Sequence, residues 1–290
     1  PFAAQTSNST PSSAAKTQLV ILGTGTPKAD PDTSGPSVAV VVGGSAYLID
    51  CGPGVVRRAA AAQRKGISAL LPSKIQVAFI THLHSDHTVG YPDLIFTAGS
   101  QRKRPLEVYG PKGLQRMTSY IQQAWSEDVY IRSHGPNEPN PIAYKVNVHE
   151  IKPGVVYKDD NVTVSAFLVA HGNWAQAFGY KFETADRTIV ISGDTSPTDA
   201  IVKACNHCDI LLHEAYGESR VSHSAKSNDY FRTFHTSVVE LAKEATEAKP
   251  GLLILYHQMY SDGQSYDQLL DEARQHYQGK VVSARDLDVY

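Results

Sequence analysis

Four side chains of the metal-ligand type fall within six consecutive positions of this chain. They are His82, His84, Asp86 and His87 in Thr81-His82-Leu83-His84-Ser85-Asp86-His87. The cluster follows directly on Ile75 to Ile80, an apolar run that reads as a buried strand. Alternate side chains of an extended chain point the same way, so His82 and His84 project together. A turn immediately afterwards brings Asp86 and His87 to the same space. A polar loop with scattered histidines does not explain such density. Imidazole and carboxylate donors suit zinc, with iron or manganese as substitutes. A hydrolytic centre needs three protein ligands and one open position.

Completing two such centres requires donors from elsewhere, again at strand ends. His171 follows the apolar run Val162 to Val169, Asp194 follows Thr188 to Ile191, and His257 follows Leu252 to Tyr256. Each alone reads as a turn residue. Together with the central motif they form a ligand set gathered along one edge of a sheet.

The remaining pattern is that of a layered α/β chain. Strands are predicted at Leu19 to Leu22, Val38 to Val42, Tyr47 to Ile49, Leu106 to Tyr109, Tyr144 to Val148, Ala177 to Phe182 and Ile210 to Leu212. Helices are predicted from Pro53 to Gly66, Leu114 to Trp125, Thr198 to Ala204, Ser237 to Lys249 and Ser265 to Tyr277. Ser237 and Glu240 have capping-box spacing. The order of strands and helices predicts two face-to-face sheets with helices outside, in one domain over 17–290. A chain of 290 residues that is 41% hydrophobic supplies the core.

At this point the chain resembles the metallo-β-lactamase superfamily, on the motifs THLHSDH, AHGNW, SGDTS and LYHQM. The resemblance implies an αββα sandwich with two mixed sheets and a binuclear centre, with two Zn²⁺ as the expected cofactor. It implies that His82, His84 and His171 hold one metal, that Asp86, His87 and His257 hold the other, and that Asp194 bridges them. Asp86, standing where cysteine or serine would otherwise stand, points away from the commonest antibiotic-hydrolysing members.

Two further motifs resemble the ribonuclease Z branch, which includes phosphodiesterase and arylsulfatase-like members. Leu212-His213-Glu214-Ala215 is similar to its HEAT motif, and His235-Thr236-Ser237 to its HST motif. The HEAT threonine is Tyr216 here. The resemblance implies that His235 contacts the scissile group and that Glu214 orients it, with Asp86 as a further candidate catalytic residue. Enzymes of this branch that process tRNA carry a long arm, commonly between the segments holding the equivalents of His171 and Asp194. Those residues are 23 apart here, which leaves room for a hairpin.

The resulting expectation is hydrolysis of small phosphodiesters or aryl sulfates by a metal-bridging hydroxide. A lactonase, or a ribonuclease Z-type tRNA 3′ endonuclease, is the alternative. A formal charge of −2 supplies no general footprint for nucleic acid, so a nucleic-acid partner is not expected. Arg102-Lys103-Arg104 reads as a solvated basic loop. No apolar run is long enough to span a membrane, and a homodimer is an open expectation. Trp174, Tyr91, Phe96, Tyr216 and Tyr260 are candidate pocket walls. Ser133 to Pro141 and Gly217 to Phe234 are candidate lids, the latter carrying Arg220, His223, Lys226 and Arg232. Thr81 and Ser85 are expected to orient the metal loop.

Pro1 to Lys16 is rich in Ser, Thr, Ala and Pro and reads as a flexible leader. Such a leader commonly follows a removed secretory signal, which predicts a periplasmic or secreted protein, with the cytoplasm as alternative. Cys205 and Cys208 are expected as packed thiols, or as a local disulfide after export.

Overall fold

The structure, a computed structural model, describes residues 16–135, 140, 142–218, 225–259 and 265–290, and of 225–228 the backbone alone. The expected leader, save Lys16, lies outside these residues.

The N-terminal half builds a six-stranded mixed sheet in the order β1 to β6. Its strands are β1 (Gln18–Gly23), β2 (Ser37–Val42), β3 (Ser45–Ile49), β4 (Val77–Phe79), β5 (Leu106–Gly110) and β6 (Val146–Glu150). The first three run antiparallel, and β3 to β6 run parallel. The C-terminal half builds a seven-stranded sheet in the order β13-β12-β11-β10-β9-β8-β7. Its members are β7 (Gly154–Lys158), β8 (Val162–Leu168), β9 (Phe178–Thr184), β10 (Thr188–Ile191), β11 (Ile210–Tyr216), β12 (Leu252–Met259) and β13 (Val281–Ser283). From β10 to β13 the strands are parallel.

Strands buried on both faces explain the continuous apolar runs. Leu19 and Ile21 face the space between the sheets, where they meet Phe79, Tyr180 and Phe182. Val20 and Leu22 face the other way, against α1 (Val55–Arg64) and α3 (Tyr91–Phe96). The second sheet is covered by α6 (Asp199–Cys205), α8 (Val238–Ala248) and α9 (Tyr266–His276). The αββα sandwich expected from the sequence is thus observed.

Two of the local start signals, at Ser237 and Ser265, hold in detail. The Ser237 side chain accepts from Glu240 N at 3.2 Å, and Ser265 forms a complete capping box with Gln268. The first long helix begins at Val55, after Gly54 in the left-handed region, so Pro53 precedes the helix and does not open it. Short strands and helices without a clean period escaped sequence reading. These are β7, β13, α2 (Ser85–Thr88), α3, α5 (Ser126–Ser133) and α7 (Ala225–Phe234), while α4 (Leu114–Ala124) stands where expected.

The basic run is not wholly solvated. Arg102 is fully buried, and its guanidinium donates to Leu94 O at 2.9 Å, closing the end of α3. Cys205 and Cys208 are joined by a disulfide, and Cys51 is buried and unpaired.

Candidate metal centre

Parallel strands end at the same edge of a sheet, and that rule assembles the site. In the first sheet, β3 ends at Ile49 and β4 at Phe79, so Asp50 and Thr81 emerge side by side. Thr81 N donates to Asp50 Oδ1 at 2.8 Å, and Thr81 O accepts from Phe178 N at 2.9 Å, which ties the two sheets together. His82 and His84 follow in extended chain, and the short α2 presents Asp86 and His87.

In the second sheet, β10 delivers Asp194 through Ser192-Gly193. Gly193 has φ +63, and a Cβ there would lie 2.8 Å from Phe178 O, so glycine is needed at this turn. His257 stands inside β12, not after it. The register against β11 skips it between Tyr256 and Gln258, and its φ is +45. This bulge turns the imidazole out of the strand's alternation and toward the edge.

All seven expected ligands converge. His84 Nδ1 lies 3.0 Å from His82 Nε2 and 3.1 Å from His171 Nε2. His257 Nε2 lies 3.1 Å from Asp86 Oδ2, and His87 Nε2 lies 3.6 Å from the same oxygen. The Asp194 carboxylate sits between the groups. Its Oδ2 is 4.0 Å from His82 Nε2, 3.9 Å from His171 Nε2 and 3.6 Å from His257 Nε2, and its Oδ1 is 3.3 Å from His87 Nε2. His84 is partly exposed and the other six are buried, so the site opens at His84.

The donor set fits divalent cations. Buried His87 Nε2 and Asp194 Oδ1 face each other without a hydrogen bond, which is costly unless something binds both. Three imidazole nitrogens, His82 Nε2, His84 Nδ1 and His171 Nε2, crowd together. Burial pushes His82 well below its ordinary value and His171 down to about 4, which keeps both rings neutral with one nitrogen each free to bind. Burial alone would raise Asp194, yet His257 and His87 hold it well below the carboxylate range.

Beside this cluster lies the second pair named from the sequence. His235 Nδ1 is 3.1 Å from Glu214 Oε1 and 4.0 Å from Asp194 Oδ2. Glu214 Oε1 also accepts from Thr195 N and Thr236 N, each at 3.2 Å. Burial, with Asp194 nearby, raises the Glu214 carboxyl well above its ordinary value, and burial pushes His235 down to about 4.

Sequence reading missed Asp50. Its Oδ2 is 2.8 Å from His87 Nδ1 and accepts from Thr81 Oγ1 at 2.8 Å. The signal was there: an aspartate directly after an apolar strand, a position close to that of Asp194, which two residues separate from β10. Of the expected aromatic walls, Trp174 reaches the cluster, with its Nε1 2.9 Å from His84 Nε2. Tyr91 lies buried in the helix layer, Phe96 stacks on Trp125, and Tyr216 packs with Phe231 and Met259. Tyr260, Arg220 and His223 lie outside the described residues, as does the Lys226 side chain, and the first expected lid is only partly described.

A sequence profile described as the Beta-lactamase superfamily domain matches residues 46–258, which contain all seven ligand-type residues, His235 and Glu214. The chain belongs to the metallo-β-lactamase superfamily. Within it, a ribonuclease Z of Mycobacterium sp. (strain KMS) is 34% identical over 247 residues, 83% of each chain. A ribonuclease Z of Mycobacterium tuberculosis is 29% identical over 273 residues, 93% of this chain and 96% of the relative. Among solved structures, the metallo-β-lactamase fold protein YhfI from Bacillus subtilis superposes with a TM-score of 0.72 at 17% identity, over 95% of this chain and 99% of that one. The short form of human tRNase Z superposes with a TM-score of 0.70 at 24% identity, over 94% and 98%. These superpositions establish the shared fold. Membership in the superfamily and the two donor groups make the protein a metal-dependent hydrolase.

Proposed function

We propose that the protein is a two-metal phosphodiesterase. The observation that carries this reading is the convergence of His82, His84 and His171 on one side and Asp86, His87 and His257 on the other, with Asp194 between them. These residues would hold the metals, with zinc the proposed identity. When bound, two divalent cations supply an activated water at neutral pH and neutralise charge on the attacked ester.

The chain's own groups then divide the work. Asp50 holds His87 through Nδ1 and so aims its Nε2 at the centre. A protonated Glu214 donating to His235 Nδ1 would leave the ring's one proton on Nε2, to hydrogen-bond the attacked ester or pass to the leaving oxygen. Asp86 serves as a ligand first.

The mycobacterial relatives named ribonuclease Z support RNA as the phosphodiester, and they count against the expectation that nucleic acid is no partner. A specific observation favours a second reading, in which the substrate is a small aryl phosphodiester or aryl sulfate. Between His171 and Asp194 the chain forms β9 and β10 joined by a short turn, with Thr188 paired to Glu183, and no arm projects there. The proposed exported location rests on leader composition and on the Cys205–Cys208 disulfide.

The test is metal analysis together with specificity constants for a precursor tRNA, a small aryl phosphodiester, an aryl sulfate and a lactone at one salt concentration. Two metals per chain and cleavage of the phosphodiesters in preference to the sulfate and lactone are expected. A preference for the tRNA by orders of magnitude would remove the small-ester reading. A preference for the lactone would overturn phosphodiester hydrolysis itself.

A further inference from the structure

The described part of the candidate lid also carries an aromatic face. On α7, Phe231 is 9% exposed and packs with Tyr216 and Met259, anchoring the helix. Tyr230 and Phe234, four positions apart, stack at 4.7 Å between ring centres with 21° between planes. Phe234 lies 5.2 Å from the His171 ring and 6.5 Å from the partly exposed His84 ring, and Tyr230 lies 6.0 Å from His235.

The Phe234 end of this pair is tied to the ligand loop by two contacts. His171 Nδ1 donates to Phe234 O at 2.6 Å, and Gly172 N donates to Thr233 O at 3.1 Å. Gly172 has φ +54, and a Cβ there would lie 2.0 Å from the Phe234 ring, so the close approach depends on glycine. Yet Tyr230 is left 47% exposed beside the donor cluster. An i, i+4 aromatic pair that only steadied a helix would not need to be tied to the ligand loop.

We propose that Tyr230 and Phe234 form a stacking subsite for a planar aromatic group carried by the substrate next to its scissile phosphate. This rests on the phosphodiesterase reading and deepens it. Rings stack on a flat aromatic face with little regard to their substituents, so an aryl ester and a nucleobase share the required chemistry. The subsite lies at the His84 opening, so a group held there places its attached phosphate toward the seven donors and His235.

The test is equilibrium binding to the metal-loaded protein of three non-hydrolysable ligands: methylphosphonate, phenylphosphonate and a nucleoside 5′-phosphonate. At least one aromatic phosphonate binds roughly 10-fold more tightly than the methyl one. Tyr230→Leu removes that preference and leaves methylphosphonate affinity and metal content unchanged, whereas Tyr230→Phe retains the preference. Whichever aromatic phosphonate binds more tightly identifies the source as aryl or nucleoside. Equal binding of all three, or a preference that survives Tyr230→Leu, overturns the subsite. If metal-loaded protein binds no phosphonate and hydrolyses no phosphodiester, the phosphodiesterase reading fails, and the subsite fails with it.

Discussion

Asp50 Oδ2 lies 2.8 Å from His87 Nδ1, while His87 Nε2 lies 3.3 Å from Asp194 Oδ1. One carboxylate therefore orients the ring that the other faces. Asp50 has φ +58, a region that asparagine also tolerates, so Asp50→Asn tests the side chain without straining the backbone. An amide placed against Nδ1 favours a proton on Nε2, the wrong tautomer for a ligand. Affinity at this position should fall roughly 10- to 100-fold, read by competition with a chelator. Unchanged affinity would show that Asp50 serves only to hold Thr81.

His235→Ala should lower turnover by roughly 10²- to 10³-fold while both metals remain. The ring lies beside the donor groups and is held by Glu214. Glu214→Gln should act through the same ring and cost less. Kinetics paired with elemental analysis decide the matter. Parallel loss of metal and activity would move His235 into the ligand set.

Trp174 offers a metal-binding signal. Its indole N–H points at His84 Nε2 from 2.9 Å. A cation on His84 Nδ1 leaves the imidazole proton on Nε2, where two donors would then oppose each other. Metal loading should therefore displace the indole. The chain's other tryptophan is Trp125, so a Trp125→Phe background isolates the signal. Indole emission that stays constant during metal titration would refute the displacement.

A pH effect on stability should come from Glu244, behind the site. Burial pushes this carboxyl from its ordinary 4.5 up to about 7. Thr198 N donates to its Oε1 at 2.6 Å, and its Oε2 lies 3.9 Å from His213 Nε2. A raised folded value means that the folded protein binds the proton more tightly. The contribution is complete below about pH 4.5 and is lost as pH rises through about 7. It amounts to about 3 kcal/mol at most. Glu244→Gln should flatten melting temperature across that window. The same slope in wild type and variant would assign the effect elsewhere.

The sequence alone determined the layers, the family and every ligand-type residue, because those signals are local. Two-sided apolar runs report buried strands, Ser237 and Ser265 report helix starts, and the density of donors in His82 to His87 has no structural excuse. The tertiary structure decided what depends on residues far apart in the chain. The parallel pairing of β3 with β4 set Asp50 against His87, 37 residues away. A register skip in β12 turned His257 toward the centre from inside a strand. The contacts of the His171 ring and of Gly172 N with the α7 backbone brought that helix to the opening, so a stretch that reads as charged presents Tyr230 and Phe234. Local pattern reports which face a residue occupies. Sheet register and helix docking, which are non-local, fix which faces meet.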